Sequence, residues 1–125
     1  FKCNNSIIRG CVGEIMSLNN CTDFEFNNCE FRNNAETFND LINISNCINV
    51  KFSSCNINNN RTRTSDGNES YDYSLFNISQ SRSVVLKDCN IENNLANYLC
   101  IKATSLDLSN TNFENNFFKK GIFKK

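Results

Sequence analysis

The sequence contains no histidine, no proline and no tryptophan, and only 4 glycines in 125 residues. Without histidine there is no Ser-His-Asp or Cys-His catalysis, no histidine zinc site and no imidazole acid–base step. Excess charge is missing too: 13 Lys plus Arg balance 13 Asp plus Glu. That argues against a chain whose main task is holding nucleic acid or an anionic membrane. No apolar run approaches the roughly 18 residues that a membrane-spanning helix needs. No signal-peptide pattern is present, so the chain that opens on Phe1 reads as a mature or excised segment. Its length and its 39% hydrophobic content suit one folded unit, residues 1–125.

What the sequence has in excess is asparagine, 26 residues, and it repeats itself. Four stretches match: CEFRNN from Cys29, CNINNN from Cys55, CNIENN from Cys89 and TNFENN from Thr111. An opening FKCNN fits the tail of an earlier copy. Each stretch follows an alternating apolar pair: Phe24 and Phe26, Val50 and Phe52, Val84 and Leu86, Leu106 and Leu108. A second pair lies further upstream: Met16 and Leu18, Ile42 and Ile44, Phe76 and Ile78, Leu99 and Ile101. Residues two apart on a strand share a face, so one repeat holds three short strands, each with one buried side. The parity slips between Phe26 and Cys29, which requires a bend at Asn27 and Asn28. Three strands with bends between them make one turn of a coil, and a period near 22 residues suits one rung of a right-handed parallel β-helix of about four to five rungs. The longest period contains residues 61–74, polar and carrying the turn signal Asp66-Gly67, and these are expected to form an inserted surface loop.

The F-x-x-N elements at Phe31-Arg32-Asn33-Asn34 and Phe113-Glu114-Asn115-Asn116 resemble the repeats of polymorphic outer-membrane-type surface proteins. Ile57 and Ile91 replace Phe in the other two copies. That family's G-G-A-I element is degenerate here, as GEIM at Gly13, DLIN at Asp40, SLFN at Ser74 and KGIF at Lys120. The resemblance implies a pectin-lyase-like β-helix in an extracellular or surface-exposed protein, non-catalytic and often adhesive, with no cofactor. Leucine-rich repeats are the alternative, because C-x-x-F-x-F-x-x-C-x-F (Cys21 to Phe31) fits their frame. They usually return through a helix, whereas LINIS and LFNIS look like strands and NN stretches form helices poorly.

Asn34, Asn60, Asn94 and Asn116 fall in one column, which reads as an asparagine ladder at a corner, since a side-chain amide both donates and accepts. Cys29, Cys55 and Cys89 align with Thr111, and Cys21 and Cys47 align with Ser81 and roughly Ala103. Small occupants throughout suit a tight inward niche in which Cys acts as a compact hydrophobe. The other reading is disulfides, with Cys3 and Cys11 as a separate pair and Cys21 and Cys47 as stacked candidates. There is no C-x-x-C spacing for zinc. Sequons occur at Asn4, Asn20, Asn43, Asn60, Asn68 and Asn77. Chance alone gives roughly four at this Asn content, so they are weak evidence of secretion. Asn60 lies in the ladder column and should be a poor acceptor, and Asn43, Asn68 and Asn77 are the preferred ones.

Polysaccharide-cleaving β-helices need paired carboxylates or a calcium site, and the six Asp residues recur in no common outward column. The expected role is a rigid rod, stalk or filament that displays loops and N-glycans, or an adhesin acting through 61–74. The expected partners are neighbouring repeats or other copies stacked head-to-tail, with no nucleic acid and no transmembrane segment.

Overall fold

The computed structural model describes residues 1–35, 40–64, 72–101 and 106–124; for Ile101 only the backbone is described. These form fifteen strands and no helix among the described residues. The first rung is β1 (Lys2–Asn4), β2 (Ile7–Arg9) and β3 (Met16–Asn19), and the second is β4 (Thr22–Asn27), β5 (Glu30–Arg32) and β6 (Ile42–Ser45). The third is β7 (Ile48–Ser53), β8 (Asn56–Asn58) and β9 (Ser74–Ser79). The fourth is β10 (Arg82–Lys87), β11 (Asn90–Glu92) and β12 (Leu95–Ile101), and the fifth is β13 (Leu106–Ser109), β14 (Asn112–Glu114) and β15 (Phe117–Lys124). Equivalent strands of successive rungs pair in parallel, giving three five-stranded sheets wound as a β-helix. A leucine-rich repeat, with its helical return, is not what the chain builds.

The register follows the apolar columns. Phe24 pairs with Val50 and Phe26 with Phe52; Val50 pairs with Val84 and Phe52 with Leu86. Phe31 pairs with Ile57 and Ile57 with Ile91. All of these but half-buried Phe24 are buried, and the Phe26 and Phe52 rings stack at 4.8 Å and 12°. Phe31 and Phe76 meet Phe52 edge-on at 6.1 and 5.7 Å. Each fully buried ring contributes about 1.5–3 kcal/mol relative to exposure.

The bends come from left-handed residues. Fifteen described non-glycine residues have positive φ, and ten of them are Asn. They recur at the corners: Asn5, Asn28, Ser54, Asp88 and Asn110 at the first; Asn33, Asn59, Asn93 and Asn115, with Gly10, at the second; and Asn20, Asn46 and Gln80 at the third. Asn and Asp tolerate this geometry better than other L-residues because their short polar side chains bond locally. Asp23, Asn49 and Ser83 add a further left-handed column inside the strands of the first sheet.

Four details differ from the expectation. The opening FKCNN aligns with Phe24 to Asn28, since Cys3 pairs with Phe26. A further repeat follows it: Ser6-Ile7-Ile8-Arg9-Gly10-Cys11 stacks on CEFRNN, with Ile8 on Phe31 and Gly10 at the left-handed site of Asn33. Lacking both the Cys and the NN, it is invisible to motif matching. In the fourth rung Cys100, not Leu99 or Ile101, pairs with Phe76, so the apolar pair shifts by one residue. Gly121 and Phe123 pair with Tyr98 and Cys100, and Met16 with Ile42. The GEIM and KGIF quartets therefore start one residue early relative to DLIN and SLFN.

The insertion begins inside the wall: Arg61 bridges Ala35 and Leu95, and Thr62 is buried. Asp66-Gly67 and Ala103 lie outside the described residues. Replacing Asn93 separates backbone geometry from packing. Asn93→Val should cost about 1–2 kcal/mol, because a β-branched residue resists the left-handed region, and Asn93→Gly should stay within about 0.5 kcal/mol. Urea denaturation midpoints of the three proteins measure both.

Candidate functional site

After the first rung, each left-handed corner residue is followed by a side chain that turns inward and bonds a neighbouring rung. At the second corner this is the asparagine column. The Nδ2 of Asn34, Asn60 and Asn94 donates to the Oδ1 of the next Asn at 3.0, 3.1 and 2.9 Å. The same Oδ1 atoms accept the backbone N–H of the preceding Asn. The second Nδ2 proton reaches a carbonyl of the previous rung: Ile8, Phe31, Ile57 and Ile91 accept from Asn34, Asn60, Asn94 and Asn116. Asn34, Asn60 and Asn94 are buried with these groups satisfied, the condition under which a buried amide is not a liability. The column starts at Cys11, whose backbone N–H donates to Asn34 Oδ1.

The cysteines fill the other corners. Cys29, Cys55 and Cys89 each contact the carbonyl two residues back and one in the preceding rung, at 3.3–3.5 Å. Thr111 makes the same pair of contacts with its hydroxyl, to Leu86 and Ser109. At the third corner Cys47 bonds the carbonyls of Leu18 and Ser45, and Cys47 N–H donates to Ser81 Oγ. The niche therefore needs a small donor, and thiol or hydroxyl both serve. All eight cysteines are free. The expected Cys3–Cys11 pairing is not formed: Cys3 lies in the first sheet and Cys11 at the second corner, and the sulfur neighbouring Cys3 is Cys29, at 4.0 Å.

Burial pushes the Cys29 and Cys47 thiols above their ordinary 9.0. A hydrogen bond with Cys89, reinforced by burial, pushes Cys55 up as well.

The sequons sort differently from expectation. Asn60 is buried in the ladder. Asn43 and Asn77 point outward but are half-buried, their amides donating to the carboxylates of Glu14 and Asp40. Asn4 and Asn20 are exposed. Asn68 lies outside the described residues. Asn4 also has a partner, its Oδ1 accepting from Asn27 at 3.0 Å. Sequence reasoning missed these carboxylate partners because Glu14 and Asp40 are brought alongside only by the winding of the coil.

The carboxylates do not converge on a reaction centre. Asp23 and Asp88 accept from Asn49 and Asn110 one rung away, and Asp40 accepts from Ser74. Among the described residues no cluster of three or more His, Cys, Asp or Glu could hold a metal. Asp72, at the end of the insertion, is gripped by Lys120 and Lys124 of β15, each at 2.5 Å. No protein-family model and no curated protein matches this chain.

Two measurements follow. Asn60→Ala should lower unfolding free energy by about 3 kcal/mol, because it strands buried donors and acceptors on both neighbouring rungs, whereas Asn56→Ala on the outer face should cost under about 0.5 kcal/mol. The raised thiols hold protons in the folded state that the unfolded chain releases above 9.0. Their contribution is complete below that pH and is lost as pH rises through the folded values. Denaturation midpoints should therefore fall more steeply above about pH 9 in the native sequence than in Cys47→Ser.

Proposed function

We propose that this chain is a non-catalytic structural segment of an extracellular or cell-surface protein, of the kind the outer-membrane-type repeats resemble. It acts as a rigid rod that displays its loop and covalent glycans. The observation that carries this reading is the unbroken asparagine ladder from Asn34 to Asn116, flanked by columns of like residues in every sheet. Such a coil spends its polar groups on holding rungs together, and each rung is covered by its neighbours. Neighbouring repeats of the same chain, or further copies stacked head-to-tail, are the partners such an arrangement calls for.

A second reading has its own support. The Asp72 clamp on Lys120 and Lys124 ties the end of the insertion to the outer wall. A loop with a fixed stem loses less freedom on binding, so an adhesive role through 61–74 fits the same scaffold. Expression through a eukaryotic secretory pathway, followed by intact mass with and without glycosidase, tests the extracellular reading. Glycan at Asn20 or Asn4 and none at Asn60 is the expected result, and a secreted chain with every sequon bare counts against the display of glycans. Deleting 65–70 separates the two roles: an intact coil with lost surface attachment identifies the loop as adhesive, and unchanged attachment leaves the rod reading alone.

A further inference from the structure

We propose that Cys3 and Cys29 are a built disulfide site that staples the first rung to the second. The inward position of the first sheet holds Phe26, Phe52, Leu86 and Leu108 in later rungs, and only in the first rung is its occupant a cysteine. Across the corner, Cys29 meets a second thiol, in the first sheet. Its sulfur lies 4.0 Å from Cys3 Sγ and 3.3 Å from the Cys3 carbonyl. Cys29 is buried and Cys3 half-buried, so Cys3 is the sulfur that an outside reagent reaches.

The stacked pairs are different. Cys21 over Cys47 and Cys55 over Cys89 are in-register neighbours on parallel rungs. Pure translation by one interstrand spacing sets their Cβ atoms about 4.7–4.9 Å apart, beyond the roughly 3.5–4.5 Å that a disulfide prefers. Closing Cys21–Cys47 would draw two rungs together against the Phe26–Phe52 stack, and closing Cys55–Cys89 would press Phe52 onto Leu86. The Cys3–Cys29 pair runs diagonally across the corner and is free of that constraint.

The chemistry needs an external disulfide, such as oxidised glutathione. The Cys3 thiolate attacks one of its sulfurs, breaking that S–S bond and expelling one thiolate. Cys29, giving up its proton, then attacks the Cys3 sulfur of the mixed disulfide and expels the second thiolate. Two protein thiols are oxidised, one external disulfide is reduced to two thiols, and the two protons end on those thiols.

The test is equilibration of the folded chain in a glutathione redox buffer, acid quenching, alkylation in denaturant and digestion with trypsin plus a glutamyl endopeptidase. Cleavage after Lys2, Arg9, Glu14, Glu25 and Glu30 puts Cys3, Cys11, Cys21 and Cys29 on separate peptides. The expected product is a peptide of residues 3–9 linked to one of residues 26–30, with Cys47, Cys55 and Cys89 recovered alkylated. A dominant Cys3–Cys11, Cys21–Cys47 or Cys55–Cys89 link, or alkylation of both Cys3 and Cys29, overturns the proposal. Cys29→Ser keeps the niche filled as Ser6 and Thr111 do. With its circular dichroism unchanged, it should leave Cys3 alkylatable or glutathione-capped, and any other protein disulfide to Cys3 again overturns the assignment.

Discussion

A coil of three flat sheets requires the chain to turn sharply three times per rung without leaving backbone polar groups bare against an apolar interior. The turn is made by a residue in the left-handed region, and the next side chain points inward and bonds the rungs above and below. Asn33 and Asn34 show the unit: the first bends the backbone at a φ of 55°, and the second joins the ladder. Without the bend, Phe31 and the apolar residues of the next strand could not both face the core. Without these rung-to-rung bonds, the buried carboxamide of Asn34 would be unpaired.

The same unit explains why residues that look chemically unrelated are interchangeable. Cys55, Cys89 and Thr111 succeed one another at one corner because each supplies one small donor to the same two carbonyls. Asn34, Asn60 and Asn94 do more, since a carboxamide donates twice and accepts twice and so relays the bonding from rung to rung. The second corner is therefore the cooperative seam of the coil, and the cysteine corners are closer to independent plugs. Burial keeps the Cys29 and Cys47 plugs protonated, which fits packing better than reactivity.

Much of this arrangement can be read from residue order. The alternating pairs Val50 and Phe52, and Val84 and Leu86, name their buried faces directly, because a strand places alternate residues on one side. The ladder column is legible because its members recur at a fixed distance from those pairs. Other features are hidden for definite reasons. The first repeat, Ser6 to Cys11, keeps the backbone geometry while changing the residues that mark the motif, with Gly10 meeting the left-handed requirement that Asn meets elsewhere. The fourth rung carries a register shift where β12 meets β15 between Ala96 and Tyr98, so parity counting there is off by one.

Sequence by itself determined the three-strand repeat, the parallel stacking, the buried faces and the inner asparagine column, because all of these follow from periodicity and the local preferences of Asn. Tertiary structure alone decided which side chains meet across rungs at a diagonal. It set Cys3 beside Cys29 and not Cys11, occupied Asn43 and Asn77 with Glu14 and Asp40, and fastened Asp72 to two lysines 48 and 52 residues away. These contacts depend on how far each corner rotates the chain and how many residues the insertion spends before rejoining the wall. Periodicity specifies what stacks directly above what; the winding of the coil specifies the rest.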